Sequence, residues 1–259
     1  KAAAVVLTLI IGLAFTLTNA EASGDEYGDG VSNTGEIDGT LTNVLGDADG
    51  TIVQIGTEDG GGSVTVSYAD NVAYNGPGAD IRIYTLDVDF PAIATIEVSA
   101  DGVTFVSAGD FSDDAGNIDI DLGALGLPFA TTVRLTHVSG ELPGFDLDAV
   151  EALNQIDLED VSIVLDPATA ENPGFTEHII TATVDDGSPI AGVLIAFAIV
   201  AGPNDDSAIM TTDDLGTALF AWTGDAGPGL DEVDAWLDID GNGTRDEGEP
   251  FTTATKQWH

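Results

Sequence analysis

The stretch Val233-Asp-Ala-Trp236-Leu237, the twelve residues Asp238-Ile-Asp240-Gly-Asn242-Gly243-Thr244-Arg-Asp246-Glu-Gly-Glu249, and then Phe251-Thr-Thr-Ala-Thr-Lys-Gln-Trp258 decide how this chain is read. The first part alternates apolar and polar residues, and the last is rich in strand-forming residues. Strands are therefore expected on both sides, with the twelve residues as their connection. Those twelve carry side-chain oxygens at positions 1, 3 and 5, glycine at 6, a carbonyl at 7, Asp at 9 and Glu at 12. Side chains at 1, 3 and 5 converge as the chain curls, Gly243 permits the sharp turn, and a Glu at 12 can close a cage with both oxygens. This is the ligand pattern of a calcium loop. The expected ligands are Asp238, Asp240, Asn242, Thr244, Asp246 and Glu249. A plain acidic turn is the alternative, and the match at every ligand position favours Ca2+. Between strands, an ion would stiffen a hairpin rather than open a helix pair. Extracellular modules bind calcium with Kd on the order of 10⁻⁴–10⁻³ M, the range expected here. Asn242-Gly-Thr244 also fits a glycosylation sequon, but a glycan there would compete with Asn242 as a ligand.

Charge narrows the function classes. The chain has 46 Asp+Glu against 5 Lys+Arg, a net charge of -41. No basic patch can form, which excludes nucleic acid as a partner. Three readings of the acidity stay open: binding of many divalent cations, a high-salt habitat that screens the repulsion, and solubility of a β protein. There is no cysteine, so disulfides, thiol catalysis and cysteine-zinc sites are excluded. The three histidines, His137, His178 and His259, lie far apart in sequence, which argues against a His-based triad or metal site.

Residues 1–22 read as a signal peptide or an apolar N-terminal helix. Lys1 supplies the positive end, residues 2–17 are uncharged and largely apolar, and small-residue cleavage sites surround Ala20 and Ala22. The run falls short of the ~20 residues of a spanning helix, so a cleaved export signal is favoured over an anchor. Membrane contact is expected only through this segment, if it is retained. The protein is expected to be secreted or on the cell surface.

Residues 23–37 form an acidic, Gly-rich leader, expected to be poorly ordered to about Asn33. From 38 to 153 the chain is a series of short β runs with Gly/Asp turns. Examples are Ser63-Val-Thr-Val-Ser-Tyr68, Asp80-Ile-Arg-Ile-Tyr84 and Thr131-Thr-Val-Arg-Leu-Thr136. Ala94-Thr-Ile-Glu-Val-Ser99, the turn Ala100-Asp101-Gly102 and Val103-Thr-Phe-Val106 read as a hairpin. Residues 154–161 read as a linker. Between 162 and 259 six or seven strands fit about a hundred residues, the size of an immunoglobulin-like sandwich. No long amphipathic helix interrupts the pattern. The fold expected is all-β, with two tandem antiparallel sandwiches, jelly-roll-like and then Ig-like.

The second half carries His178-Ile-Ile-Thr-Ala-Thr-Val184, Gly187-Ser-Pro189-Ile-Ala-Gly192-Val-Leu-Ile-Ala-Phe197, Ala201-Gly-Pro203-Asn204, Thr212-Asp-Asp-Leu-Gly216-Thr-Ala-Leu-Phe220, Trp222-Thr-Gly224 and Gly227-Pro-Gly. Over about 162–259 it resembles the group 1 bacterial Ig-like domain of invasin- and intimin-type surface proteins. The resemblance implies a stiff spacer or adhesive module without catalysis. The first half carries Asn43-Val-Leu-Gly46-Asp-Ala-Asp-Gly50, Asn75-Gly-Pro-Gly78-Ala-Asp80-Ile-Arg-Ile-Tyr84, Val98-Ser-Ala-Asp101-Gly102-Val-Thr-Phe105 and Pro143-Gly-Phe145-Asp146-Leu-Asp148-Ala-Val-Glu151. Over about 38–153 it resembles galactose-binding-like, discoidin-type β-sandwiches of cell-surface proteins. That resemblance implies binding of carbohydrate or another cell-surface ligand at loop tips. Sugar sites usually want stacking aromatics, and here only Tyr74, Tyr84 and Phe145 are available.

Other residues invite further readings. Asp146 and Asp148 are two apart, so a regular strand would put both on one face. With Asp80 and Glu151 they make a candidate second cation site. The alternative is that these acids cap turns and accept backbone N–H groups. Arg82 and Arg134 are read as pairing with neighbouring Asp rather than binding anions. Trp222, Trp236 and Trp258 are read as core. No two of the 46 acids stand out as the paired carboxyls of a glycosidase, so no enzyme is expected. The expectation is an exported, non-catalytic, calcium-stiffened surface protein with a ligand-binding or adhesive first sandwich on an Ig-like spacer. A subunit of a filament or surface layer, self-associating through its apolar N-terminus and calcium, is the alternative. A carbohydrate-active enzyme is the least favoured.

Overall fold

The computed structural model describes residues 18–19, 26–56, 61–86, 91–140 and 144–259. The expected export segment, apart from the strand Thr18–Asn19, lies outside the described residues. No helix among the described residues is long and apolar enough to cross a membrane.

The protein is all-β. The described residues form five sheets, and the only α-helix is the single turn Leu122–Leu125. In the first half a six-stranded sheet faces a five-stranded one. The larger contains Gly62–Ser67, Thr132–Gly140, Ala92–Ser99 and Val106–Ser112 side by side, and the smaller is centred on Ile81–Thr85 and Phe145–Ala152. Alternation places one face of each inward: Val64, Val66, Ile96, Val98, Val133 and Leu135 meet Val53, Ile55, Ile81, Ile83, Phe145 and Leu147 in one apolar core. In the second half Ser162–Asp166, Glu177–Asp185 and Thr217–Thr223 form a three-stranded sheet over a five-stranded one. The latter holds Leu194–Ala201, Gly229–Leu237 and Phe251–Trp258. Its pairings are antiparallel except that Thr169–Asn172 runs parallel to Phe251–Trp258. That pairing is a departure from the expected purely antiparallel order.

A fifth, small sheet is built by Asn71–Tyr74, Phe129–Ala130 and Gln155–Asp157. Its Val72, Phe129 and Ile156 are fully buried and pack into the same apolar cluster as the second sandwich. The segment expected to be a polar linker thus carries a strand, because Ile156 has a hydrophobic seat opposite Val72. The acidic leader also differs from expectation. Tyr27 and Val31 are buried, and Gly30–Gly35 pairs along Gly62–Ser67. Two apolar anchors and a full ladder outweigh its acidic composition. The 92–112 hairpin forms with Val98 opposite Val106, but the turn runs through Phe105, and Val103 is exposed.

Candidate metal centre

The 238–249 loop joins Gly229–Leu237 to Phe251–Trp258, two strands paired from Gly229↔Trp258 to Trp236↔Phe251. The connection is strand to strand, as the alternation of its flanks implies. Val233, Ala235 and Leu237 point into the core, and the chain leaves the sheet directly afterwards. Asp238, the first loop residue, is fully buried, and Glu249, the last, is nearly so. Asp240 is half-buried, while Asn242 and Asp246 are exposed.

These ends converge. Carboxylate oxygens of Asp238, Asp240 and Glu249 lie within 4.8 Å of one another. Gly243 N–H donates to Asp238 Oδ2 at 3.1 Å. Ile239 and Asp246 N–H donate to the two oxygens of Glu249 at 2.9 and 2.8 Å. Asn242 Nδ2 donates to Asp240 and Asp246 at 2.7 and 2.9 Å. Gly241 and Gly243 turn the chain at φ 72° and 70°, backbone that favours glycine. Arg245 reaches back to Asp234 at 3.1 Å and lies over the Phe251 ring, fastening the loop to its own sheet.

One atom is left over. Asp238 Oδ1 is buried and has no hydrogen-bond partner. A buried carboxylate oxygen without a partner costs several kcal/mol in order of magnitude. Burial pushes the Asp238 and Glu249 carboxyls above their usual range, against the pull of backbone N–H groups, with Asp240 adding to the rise at Asp238. The three donors brought together are hard carboxylates, which suit Ca2+ and offer nothing to soft metals. A cation beside Asp238 Oδ1 would satisfy the orphan and offset the repulsion, so the residues present fit the ion.

The acids of the first half go to separate partners. Asp80 is fully buried and accepts Gly76 N–H, Leu122 N–H and Asn154 Nδ2 at 2.9, 2.7 and 2.8 Å. Asp146 accepts Gln54 Nε2 at 2.9 Å, and Asp148 accepts Gly50 N–H. Glu151 accepts Tyr84 Oη–H at 2.6 Å. A register shift between Leu147 and Ala149 interrupts the regular alternation that would put Asp146 and Asp148 on one face. Among the described residues, the only group of three or more potential ligands close enough to share a metal is that of the 238–249 loop.

Of the aromatics considered for sugar stacking, Phe145 is in the core, Tyr74 packs against the second sandwich and Tyr84 is held by Glu151. Arg82 pairs with Asp119 at 2.7 Å and Arg134 with Glu97 at 2.8 Å, the second a Glu rather than an Asp. All three tryptophans are buried.

Sequence reasoning missed a polar knot in the second core. Asp231 is fully buried and accepts Trp222 Nε1, Trp258 Nε1 and Asn204 Nδ2 on one oxygen at 3.1, 2.7 and 2.8 Å, and Asn204 N–H on the other. Lys256, its cross-strand partner, is equally buried, its Nζ has no hydrogen-bond partner, and burial lowers its pKa. The available signal was phase: Asp231 shares the inward alternation of Val233, Ala235 and Leu237, and Lys256 that of Ala254 and Trp258.

No family model matches the chain, and no curated protein matches it. Among solved structures it is similar to the D0-D1 domain of intimin, at 15% identity over 78% of this chain and 90% of that one, with a TM-score of 0.26. At that score the likeness assigns neither fold nor function, and the fold described above rests on the sheets themselves.

Proposed function

We propose that this is an exported, non-catalytic, cell-surface or extracellular protein in which Ca2+ bound at the 238–249 loop stiffens the second sandwich. The first sandwich, over about 38–153, would present a docking face for a surface ligand, and the Ig-like sandwich over about 162–259 would act as its spacer. The observation that carries the metal is Asp238 Oδ1, a buried oxygen without a partner on a residue whose carboxylate clusters within 4.8 Å with those of Asp240 and Glu249. The spacer role is supported by two continuous apolar cores in sandwich form and by an acidic surface suited to solubility. The ligands would be Asp238, Asp240, Asn242, Asp246 and Glu249 with the Thr244 carbonyl.

Thermal unfolding in EDTA and then in about 10 mM Ca2+ tests this. With Kd on the order of 10⁻⁴–10⁻³ M, binding to the folded state alone adds about 1.4–2.7 kcal/mol. The melting temperature of the wild type should rise, and Asp238→Ala should abolish the rise. A rise of equal size in Asp238→Ala would move the effect away from this loop.

A further inference from the structure

We propose that the cation of the 238–249 loop also clamps the two sandwiches together, with Asp101 of the first sandwich as the fixed charge on the opposite wall. The proposal rests on the calcium reading and extends it from a local staple to control of the inter-sandwich joint. A cleft of about 310 Å³ lies where the loop meets the first sandwich. Asp101 and Thr131 line one wall, and Asp240, Asp246, Glu247 and Glu249 line the other. Five carboxylates from two sandwiches thus share one small cleft on a chain with very few cations to offset them.

Asp101 is built to stay charged and in place. Its Oδ1 accepts Ser99 Oγ, Val103 N–H and Thr104 N–H at 2.9, 2.8 and 2.6 Å. The backbone donors hold its carboxyl well below the usual range. Across the cleft, Asp240 and Glu249 share a carboxylate cluster with Asp238, whose Oδ1 is buried and partnerless, which points to a cation rather than to acids that merely face solvent. At a separate contact, Val72, Phe129 and Ile156 of the small sheet seat in the second core. The joint therefore has an apolar contact, indifferent to ions, and an acidic one that like charges push apart until a divalent cation neutralises them. Monovalent salt would only screen that repulsion, whereas a divalent ion at fixed ionic strength would reverse it.

The absence of cysteine makes site-specific labelling unambiguous. Spin labels at Val103→Cys and Leu215→Cys, both exposed positions on different sandwiches, report the inter-sandwich distance distribution in the whole chain by pulsed electron resonance. Calcium binding is followed in parallel by titration calorimetry. At constant ionic strength Ca2+ should narrow the distribution. Asp101→Asn, which keeps the Oδ1 acceptor of the turn, should still bind Ca2+ while losing most of the narrowing. Glu247→Gln, an exposed change on the other wall, should shift the distribution in the same direction. Calcium binding with an unchanged distribution would overturn the clamp and leave the calcium reading standing. Full narrowing in both variants would also overturn it. A wild type that binds no calcium would overturn both.

Discussion

Asp231 shows how much of the second sandwich depends on one side chain. Its carboxylate is the acceptor for two indole N–H groups and for both nitrogens of Asn204 that face it. Asp231→Ala leaves those donors buried without a partner, and removing one side of such a network costs about 3–5 kcal/mol. Denaturant titration should show a loss of that size with little change in slope. His178 is a second test at this scale. It packs edge-on against Trp222 at 4.9 Å, and burial, with a smaller contribution from Lys256, lowers its pKa to about 4. Below its ordinary value of about 6.5 the unfolded chain takes up a proton that the folded chain resists down to about 4. Stability from this group is therefore full above pH 6.5 and falls progressively toward pH 4, by up to about 3 kcal/mol. The difference between wild type and His178→Gln, measured across that window, should change by this amount, because the carboxylates common to both cancel. A difference that stays flat with pH would remove His178 as the cause of acid sensitivity.

Among the elements, the loop is held as a shape before any ion is considered. Backbone N–H groups cap Asp238 and Glu249, Arg245 ties the exposed side to Asp234, and Gly243 turns at φ 70° with Ile209 Cδ1 3.2 Å from where a Cβ would stand. Gly243→Ala should cost about 1 kcal/mol or more from the backbone alone and should weaken calcium binding by more than it lowers stability in EDTA. Equal effects with and without the ion would mean that the turn serves the fold only. The long alternating strands, such as Glu177–Asp185 and Phe251–Trp258, were legible because their apolar period is two. So was the strand-to-strand connection at 238–249, whose glycine turns and alternating flanks are local properties of the chain. Val53–Ile55, Asn71–Tyr74 and Gln155–Asp157 were not, being three or four residues long and defined by partners far away in sequence. The fates of Asp146 and Asp148 were hidden for a related reason: the irregularity that disrupts their alternation depends on the pairing with Ile81–Thr85. Asp231 and Lys256 were hidden by chemistry, since charged residues count as solvent-facing until their partners are known.

At the scale of the whole molecule, a chain with a net charge of -41 is folded around two apolar cores. Such a chain repels itself, and its most costly acids are those that folding buries without donors enough to satisfy them. Asp80 and Asp231 have their donors inside the protein. Asp238 lacks one for Oδ1, and the proposed ion would supply what the chain does not. The most direct measurement is titration calorimetry of the whole chain with Ca2+ at neutral pH, for wild type and Asp238→Ala. If Ca2+ fills the loop, the wild type shows one site with Kd on the order of 10⁻⁴–10⁻³ M, and the variant no such site. Undiminished binding by a folded Asp238→Ala, or no binding by the wild type, would contradict it.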